Sequence, residues 1–240
     1  MAPLFSYRFK NYLNERSTPG ECRQFIHEVY HCLNDEFMEQ LKMKESGHYP
    51  TFEDKNGKPS HLALKHTRYH NLTPMLLENI PGIKLIHIVR NPCASIYSWI
   101  STAREFPEND DPLEFWRNGK NRKTSEEEFW GFDDWVKLTR YYLELQKEHP
   151  EQVLVVSYET LVNEPVSKTK EMFSFCNMNS LPSQTEKFLQ DSLNSSSDNK
   201  YSVFRGQNEV LDKWKAKLPE TIKDEIYTEL KHTPLEVYLK

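Results

Sequence analysis

At 240 residues the chain is long enough for one good-sized α/β domain, and nothing in its length requires two. Aromatic residues make up 12% of it and glycines number only seven, which excludes low-complexity disorder as its general character. The formal net charge of −5 argues against a general nucleic-acid binder, and no apolar run approaches the length of a membrane span.

The four cysteines, Cys22, Cys32, Cys93 and Cys176, are scattered without a CxxC pair. That spacing suits neither zinc nor a disulfide framework and makes a reducing compartment the default. The opening MAPLFSYRFKNYL lacks the continuous apolar core of a signal peptide. Asn194-Ser195-Ser196 fits a glycosylation acceptor, a pattern short enough to arise often by chance.

In chain order, residues 1–16 are mixed and carry no assignable element. Ser17-Thr18-Pro19 marks a helix start, and the face Cys22, Phe25, Ile26, Val29, Leu33, Phe37 and Leu41 keeps helical spacing until Gly47 and Pro50. His61-Leu62-Ala63-Leu64-Lys65 reads as a short strand. It leads into Lys65-His66-Thr67-Arg68-Tyr69-His70, which places four groups able to carry positive charge within six residues. A helical stretch from Leu72 to Ile80 follows, and Pro81-Gly82 turns the chain into the next strand. Helix, strand, helix, strand, helix in succession implies right-handed crossovers and parallel strands.

The stretch IKLIHIVRNPCASIYSWI, Ile83 to Ile100, organises the rest. Ile83, Leu85, Ile86, Ile88 and Val89 suit a strand buried on both faces. Asn91 is a good helix cap and Pro92 a good first helical residue, because its missing N–H costs nothing there. Ala94, Ile96, Tyr97, Ile100 and Ala103 then recur at helical spacing. A strand therefore runs straight into a helix, with Arg90 at the carboxyl edge of the strand. Open α/β sheets bind ligands at that edge, helix N-termini favour anions, and an arginine fork holds phosphate bidentately. Ser98, about two turns into the helix, adds a hydroxyl. The same residues also suit an ordinary strand–helix junction with a surface arginine.

Residues 106–123 read as a solvated loop with a basic knot at Arg117, Lys120, Arg122 and Lys123. Ser125 with Glu128 makes a capping box for a long helix to about Lys147, whose buried stripe is Phe132, Trp135, Val136 and Tyr142. Val153-Leu154-Val155-Val156 is a further buried strand, ending in Ser157-Tyr158-Glu159-Thr160-Leu161. Amphipathic pieces follow over 166–176 and 185–193. Residues 191–200, rich in Ser, Asn and Asp, suggest a surface loop. Phe204-Arg205-Gly206 and Trp214-Lys215 precede a last helix from about Pro219 to Leu230. There is no internal repeat.

Three of these segments together resemble one family, the sulfotransferases that use 3′-phosphoadenosine 5′-phosphosulfate (PAPS). Arg90-Asn91-Pro92, with Ser98 eight residues after the arginine, looks like the family's 3′-phosphate motif. VLVVSYETLVNEP, from Val153 to Pro165, is similar to its strand followed by a Tyr-Glu-Asp-Leu turn. Phe204-Arg205-Gly206 with Trp214-Lys215 resembles its late FRKG…WK segment. Order and spacing agree over about residues 60–230. The resemblance implies a single domain over 1–240, α/β in class: a three-layer parallel sheet flanked by helices, of the P-loop nucleotide-binding kind.

Carried over residue by residue, the resemblance implies that Arg90 and Ser98 hold the 3′-phosphate from one side. Arg205 and the backbone at Gly206 hold it from the other, and Tyr158 sits near the adenine. Lys65 matches a family lysine that neutralises charge on the bridging oxygen as sulfonate leaves. His66 and His70 are both candidates for the base that takes the acceptor proton; the sequence reads Lys-His-Thr where the family has Lys-Thr-His or Lys-x-Pro-Arg. The acceptor is a small molecule or carbohydrate carrying a hydroxyl or amine. The compartment is cytoplasmic by default, or Golgi where a longer form carries an N-terminal anchor.

The family's Pro-Lys-Ser-Gly-Thr-Thr phosphosulfate loop has no counterpart; Arg16-Ser17-Thr18-Pro19-Gly20-Glu21 is the nearest string. The expected fold therefore lacks its first strand and loop. The alternative function is a truncated, inactive relative that binds only nucleotide or a protein partner. A phosphate kinase is a poorer rival, since no GxxxxGK[ST] occurs.

Overall fold

A computed structural model describes residues 13–31, 45–47, 60–103, 105–124, 128–194 and 211–240. They fall into two compact units, one formed from residues 1–83 with 197–204 and the other from 84–196 with 205–240.

In the first unit, helix α1 (Pro19–Tyr30) starts where the sequence predicts. Thr18 accepts from the Glu21 N–H while the Glu21 carboxylate accepts from the Thr18 N–H at 2.7 Å, a complete capping box. Those hydrogen bonds to Thr18 hold the Glu21 carboxyl below its usual pKa. Cys22, Phe25 and Val29 are buried, as their spacing requires, and meet Leu13, Tyr69, Leu72 and Met75. The Cys22 thiol lies 3.3 Å from Met75 Sδ. The expected continuation through Leu33, Phe37 and Leu41 lies outside the described residues. A short 3₁₀ turn (His70–Leu72) leads into α2 (Thr73–Asn79), and Gly82, at φ +76°, makes the following turn.

The strand expected at His61–Lys65 is not formed. Leu62 and Leu64 pack against the core while His61, Ala63 and Lys65 face solvent, so the period of two is real. No strand pairs with it among the described residues, and alternation alone does not make a ladder.

In the second unit, β1 (Leu85–Val89) and β2 (Val153–Ser157) pair in parallel, with Leu85 opposite Val153 and Val89 opposite Ser157. These two strands make up the sheet among the described residues. The chain is thus mixed α/β with a small parallel sheet. Helix α3 (Pro92–Ile100) leaves β1 directly and buries Cys93, Ala94, Ile96 and Trp99. Then come α4 (Pro112–Phe115), α5 (Phe132–Glu148), and, after β2, α6 (Tyr158–Asn163), α7 (Pro165–Phe175) and α8 (Ser183–Asn194). Helix α9 (Glu220–Leu230) and a 3₁₀ turn (Pro234–Leu239) close the chain. The core gathers Phe132, Trp214, Leu218, Ile222, Ile226, Leu230 and Leu235 around the α3 face. No helix among the described residues is long and apolar enough to cross a membrane.

Among the described residues of this unit, β1 is covered mainly on one face. His87 stacks flat on Tyr142 of α5, with ring centroids 3.9 Å apart, and Val89 is buried. Ile88, on the opposite face, is 45% exposed. The outer edge of β2 is closed by a side chain: Gln146 of α5 accepts from the Val155 N–H, which the ladder register turns away from β1.

The loop before α5 is not a solvated basic knot. Arg117 pairs with Asp133 at 2.9 Å and with Glu229, Arg122 with Glu105 at 3.2 Å, and Lys123 with Asp134 at 2.6 Å. Ser125, the expected cap, lies outside the described residues, and α5 starts at Phe132. Glu128 accepts from the Thr124 N–H at 2.7 Å, but the chain reaches helical geometry only at Phe132, after Gly131 at φ +87°. The first helical N–H groups then find carbonyls of the loop: Phe132 donates to Trp116 and Asp133 to Arg117. A Cβ on Gly131 would lie 2.5 Å from the Arg117 carbonyl oxygen. The positive φ alone costs a non-glycine residue about 1–2 kcal/mol, and the clash adds to it. Gly131→Ala should therefore lower stability by more than about 2 kcal/mol in urea unfolding; a loss below about 0.5 kcal/mol would show that the loop is not held against α5.

Candidate functional site

The second unit's site is built where β1 and β2 end side by side. Arg90 follows β1 directly and Tyr158 follows β2 directly. The Arg90 guanidinium lies over the Tyr158 ring, 5.0 Å from its centroid, a cation–π contact that orients a permanently charged fork. The Arg90 backbone is held as well. Its carbonyl accepts from Trp135 Nε1 at 3.0 Å, and the N–H of the next residue, Asn91, donates to Glu159 Oε1 at 2.8 Å. Ser157 Oγ donates to the other oxygen of Glu159 at 3.2 Å.

The N-terminus of α3 is met by groups of the chain itself. Asn91 caps α3 by accepting from the Ala94 N–H at 3.2 Å, and its carbonyl accepts from Ser95 at 2.9 Å. Pro92 has no N–H, and the Asn91 N–H already meets Glu159. Among the described residues only the Cys93 N–H finds no acceptor in the first turn, with a carboxylate already at the positive end of the helix dipole. The helix N-terminus is thus largely spent on partners within the chain.

Ser98 sits on the exposed side of α3. Its hydroxyl makes no hydrogen bond to any described residue, whereas its carbonyl accepts from the Thr102 hydroxyl at 2.6 Å. Trp214, from the late motif, is 5% exposed and belongs to the core; Lys215 pairs with Asp212 at 2.6 Å. Arg205 and Gly206 lie outside the described residues. Cys93 is fully buried beside the junction, and burial pushes its thiol up to about 12, which makes it inert rather than nucleophilic.

Lys65, His66 and His70 belong to the first unit. Lys65 is exposed. His66 is exposed too, and its Nδ1 lies 2.6 Å from the Arg68 carbonyl oxygen. A carbonyl only accepts, so Nδ1 carries the proton and the lone pair of neutral His66 resides on Nε2. His70 is buried, with its ring centroid 5.7 Å from that of His66. Between them Tyr69 takes the left-handed region at φ 61°, uncommon for so bulky a residue, and keeps its ring in the core.

Sequence reasoning did not single out Glu159 or Trp135 as parts of the site. Glu159 was visible only as one letter of the Tyr-Glu turn, and Trp135 only as part of a buried stripe. Their roles are long-range hydrogen bonds that no local pattern encodes.

These arrangements can be set beside known proteins. A family profile described as a sulfotransferase domain matches residues 9–228. The chain belongs to that family. Carbohydrate sulfotransferase 3 of Mus musculus is similar to it, 26% identical over 210 residues, which cover 82% of this chain and 42% of that protein. The chain thus spans well under half the length of this curated relative. No solved structure matches it.

Alkylation of Cys93 by a soluble thiol reagent at pH 8 should be at least about 100-fold slower in the folded chain than in urea. Comparable rates would mean that the β1–α3 junction is open rather than packed.

Proposed function

We propose that this chain is a PAPS-dependent sulfotransferase whose acceptor is a carbohydrate hydroxyl. The observation that carries the reading is Arg90, fixed over Tyr158 at the shared carboxyl end of β1 and β2. The donor set suits the nucleotide: a planar guanidinium for the 3′-phosphate, and in Ser98 an exposed hydroxyl that bonds to no described residue. When bound, PAPS would supply an activated sulfonate, whose sulfur gains a bond to the acceptor oxygen as its bond to the 5′-phosphate oxygen breaks.

Arg90 and Ser98 hold the 3′-phosphate from one side in this reading, with Arg205 and the Gly206 backbone on the other by resemblance. Tyr158 carries the guanidinium and contacts the adenine. Lys65 neutralises the oxygen that leaves with the electron pair. His66 is preferred over His70 as the base, because His66 is exposed and the Arg68 carbonyl at Nδ1 leaves the lone pair of the neutral ring on Nε2. His70 is buried behind it. The carbohydrate acceptor is supported by the name of the mouse relative.

Calorimetric titration should show adenosine 3′,5′-bisphosphate binding at least about tenfold more tightly than AMP, because charge-assisted bonds to the extra phosphate are each worth about 1.5–3 kcal/mol. Arg90→Ala should remove most of that preference. Equal affinities in the unaltered chain would overturn the assignment.

In labelled-sulfonate transfer to carbohydrate acceptors, His66→Ala should lower kcat by about 10²–10⁴-fold, and His70→Ala far less. Lys65→Ala should lower kcat more than it weakens nucleotide binding. A normal rate for His66→Ala would place the base elsewhere.

A further inference from the structure

We infer that Glu159 and Trp135 are positioning residues that hold Arg90 in its phosphate-reading pose; the inference rests on the reading of Arg90 as the 3′-phosphate ligand. Arg90 lies just past the end of β1, where the ladder no longer fixes the backbone. Beyond the strand, the peptide between Arg90 and Asn91 is gripped on both of its polar groups. Trp135 Nε1, from α5, donates to the Arg90 carbonyl at 3.0 Å. Glu159 Oε1, from α6, accepts from the Asn91 N–H at 2.8 Å. Both amide groups of one peptide plane are therefore spent on side chains 45 and 68 residues away in sequence. With that plane fixed, the Arg90 side chain leaves the backbone in one direction, and Tyr158 supports its far end.

A carboxylate next to an anion site needs a reason, since its charge opposes the ligand. Here the reason is geometric. Glu159 is tied at its other oxygen to Ser157 Oγ at 3.2 Å, so it joins the last residue of β2 to the residue after Arg90. Tyr158 lies between Ser157 and Glu159 in the chain, so this brace and the cation–π platform come from one turn. An amide in place of the carboxylate would keep both links: its carbonyl oxygen accepts from Asn91, and its NH₂ donates to Ser157 Oγ. An alanine would keep neither.

These features define a test that separates positioning from folding. The readout is the ratio of affinities for adenosine 3′,5′-bisphosphate and AMP, measured by calorimetry on the full chain. A variant that is merely less folded weakens both nucleotides equally and leaves the ratio alone. Glu159→Ala should reduce the ratio by about tenfold with AMP affinity within about twofold of the original. Glu159→Gln should keep it. Trp135→Phe, which retains the ring and loses only the donor, should reduce it several-fold. In the Arg90→Ala background, Glu159→Ala should have no further effect on the ratio, because the brace acts through Arg90.

If Glu159→Ala and Trp135→Phe leave the ratio intact while Arg90→Ala destroys it, the positioning role is wrong and the phosphate role of Arg90 stands. If Glu159→Gln loses the ratio as fully as alanine does, Glu159 acts by charge and the positioning role is again wrong. A ratio that survives Arg90→Ala overturns both readings. Should Glu159→Ala fail to fold, Trp135→Phe and Glu159→Gln decide between these outcomes.

Discussion

The junction between the two strand ends depends on one hydrogen bond, from the Asn91 N–H to Glu159. Parallel pairing puts Val89 opposite Ser157, so both strands deliver their next residues to the same edge. The ladder stops there, and nothing in backbone geometry obliges the two departing chains to stay together. Glu159 ties them. It also satisfies an amide at the start of α3 and complements the positive end of that helix. Charge at this site is thus arranged in two layers: an acidic brace bonded into the backbone, and a basic fork resting on Tyr158.

Around this edge the second unit is made rigid by aromatic and ionic contacts rather than by a wide sheet. Trp135 serves the site through its indole N–H while its ring stacks near Phe132 and meets Tyr238 edge-on. Arg117 lies over both Trp116 and Phe132 while pairing with Asp133 and Glu229, which joins the loop to α5 and α9. Individual exposed ion pairs contribute little, but a guanidinium shared between two rings and two carboxylates holds one geometry. Gly119 and Gly131, both at positive φ, let that loop approach α5 closely enough for its carbonyls to cap the helix.

Much of this was legible in the sequence where the determining chemistry is local. Asn91-Pro92 after an apolar run marked the strand–helix junction because capping and the missing proline N–H act within one turn. Ser17-Thr18-Pro19 marked the start of α1 for the same reason, and the structure adds Glu21 as the partner that completes the capping box at Thr18. Glu128, read as a helix-capping residue, misled, because it serves the loop at Thr124 and the chain turns into α5 only at Gly131. Leu62 and Leu64 misled differently: they bury alternately, yet a strand also needs a partner. The basic loop and the Glu159–Trp135 brace could not be read at all. Arg117 finds Glu229 112 residues away, and no periodicity reports a contact of that range. The three motif segments, weak singly, carried the family because their order and spacing are a joint constraint.

The claim on which this account rests is that Arg90, and not the N-terminus of α3, reads the 3′-phosphate. Side-chain nitrogen NMR of Arg90 tests it most directly, since the guanidinium signal reports its own hydrogen bonding. On addition of adenosine 3′,5′-bisphosphate the Arg90 Nε–H resonance should shift and exchange more slowly with solvent, and AMP should leave it close to its starting position. A backbone amide of the first turn, such as Cys93, responding in its place would contradict the account.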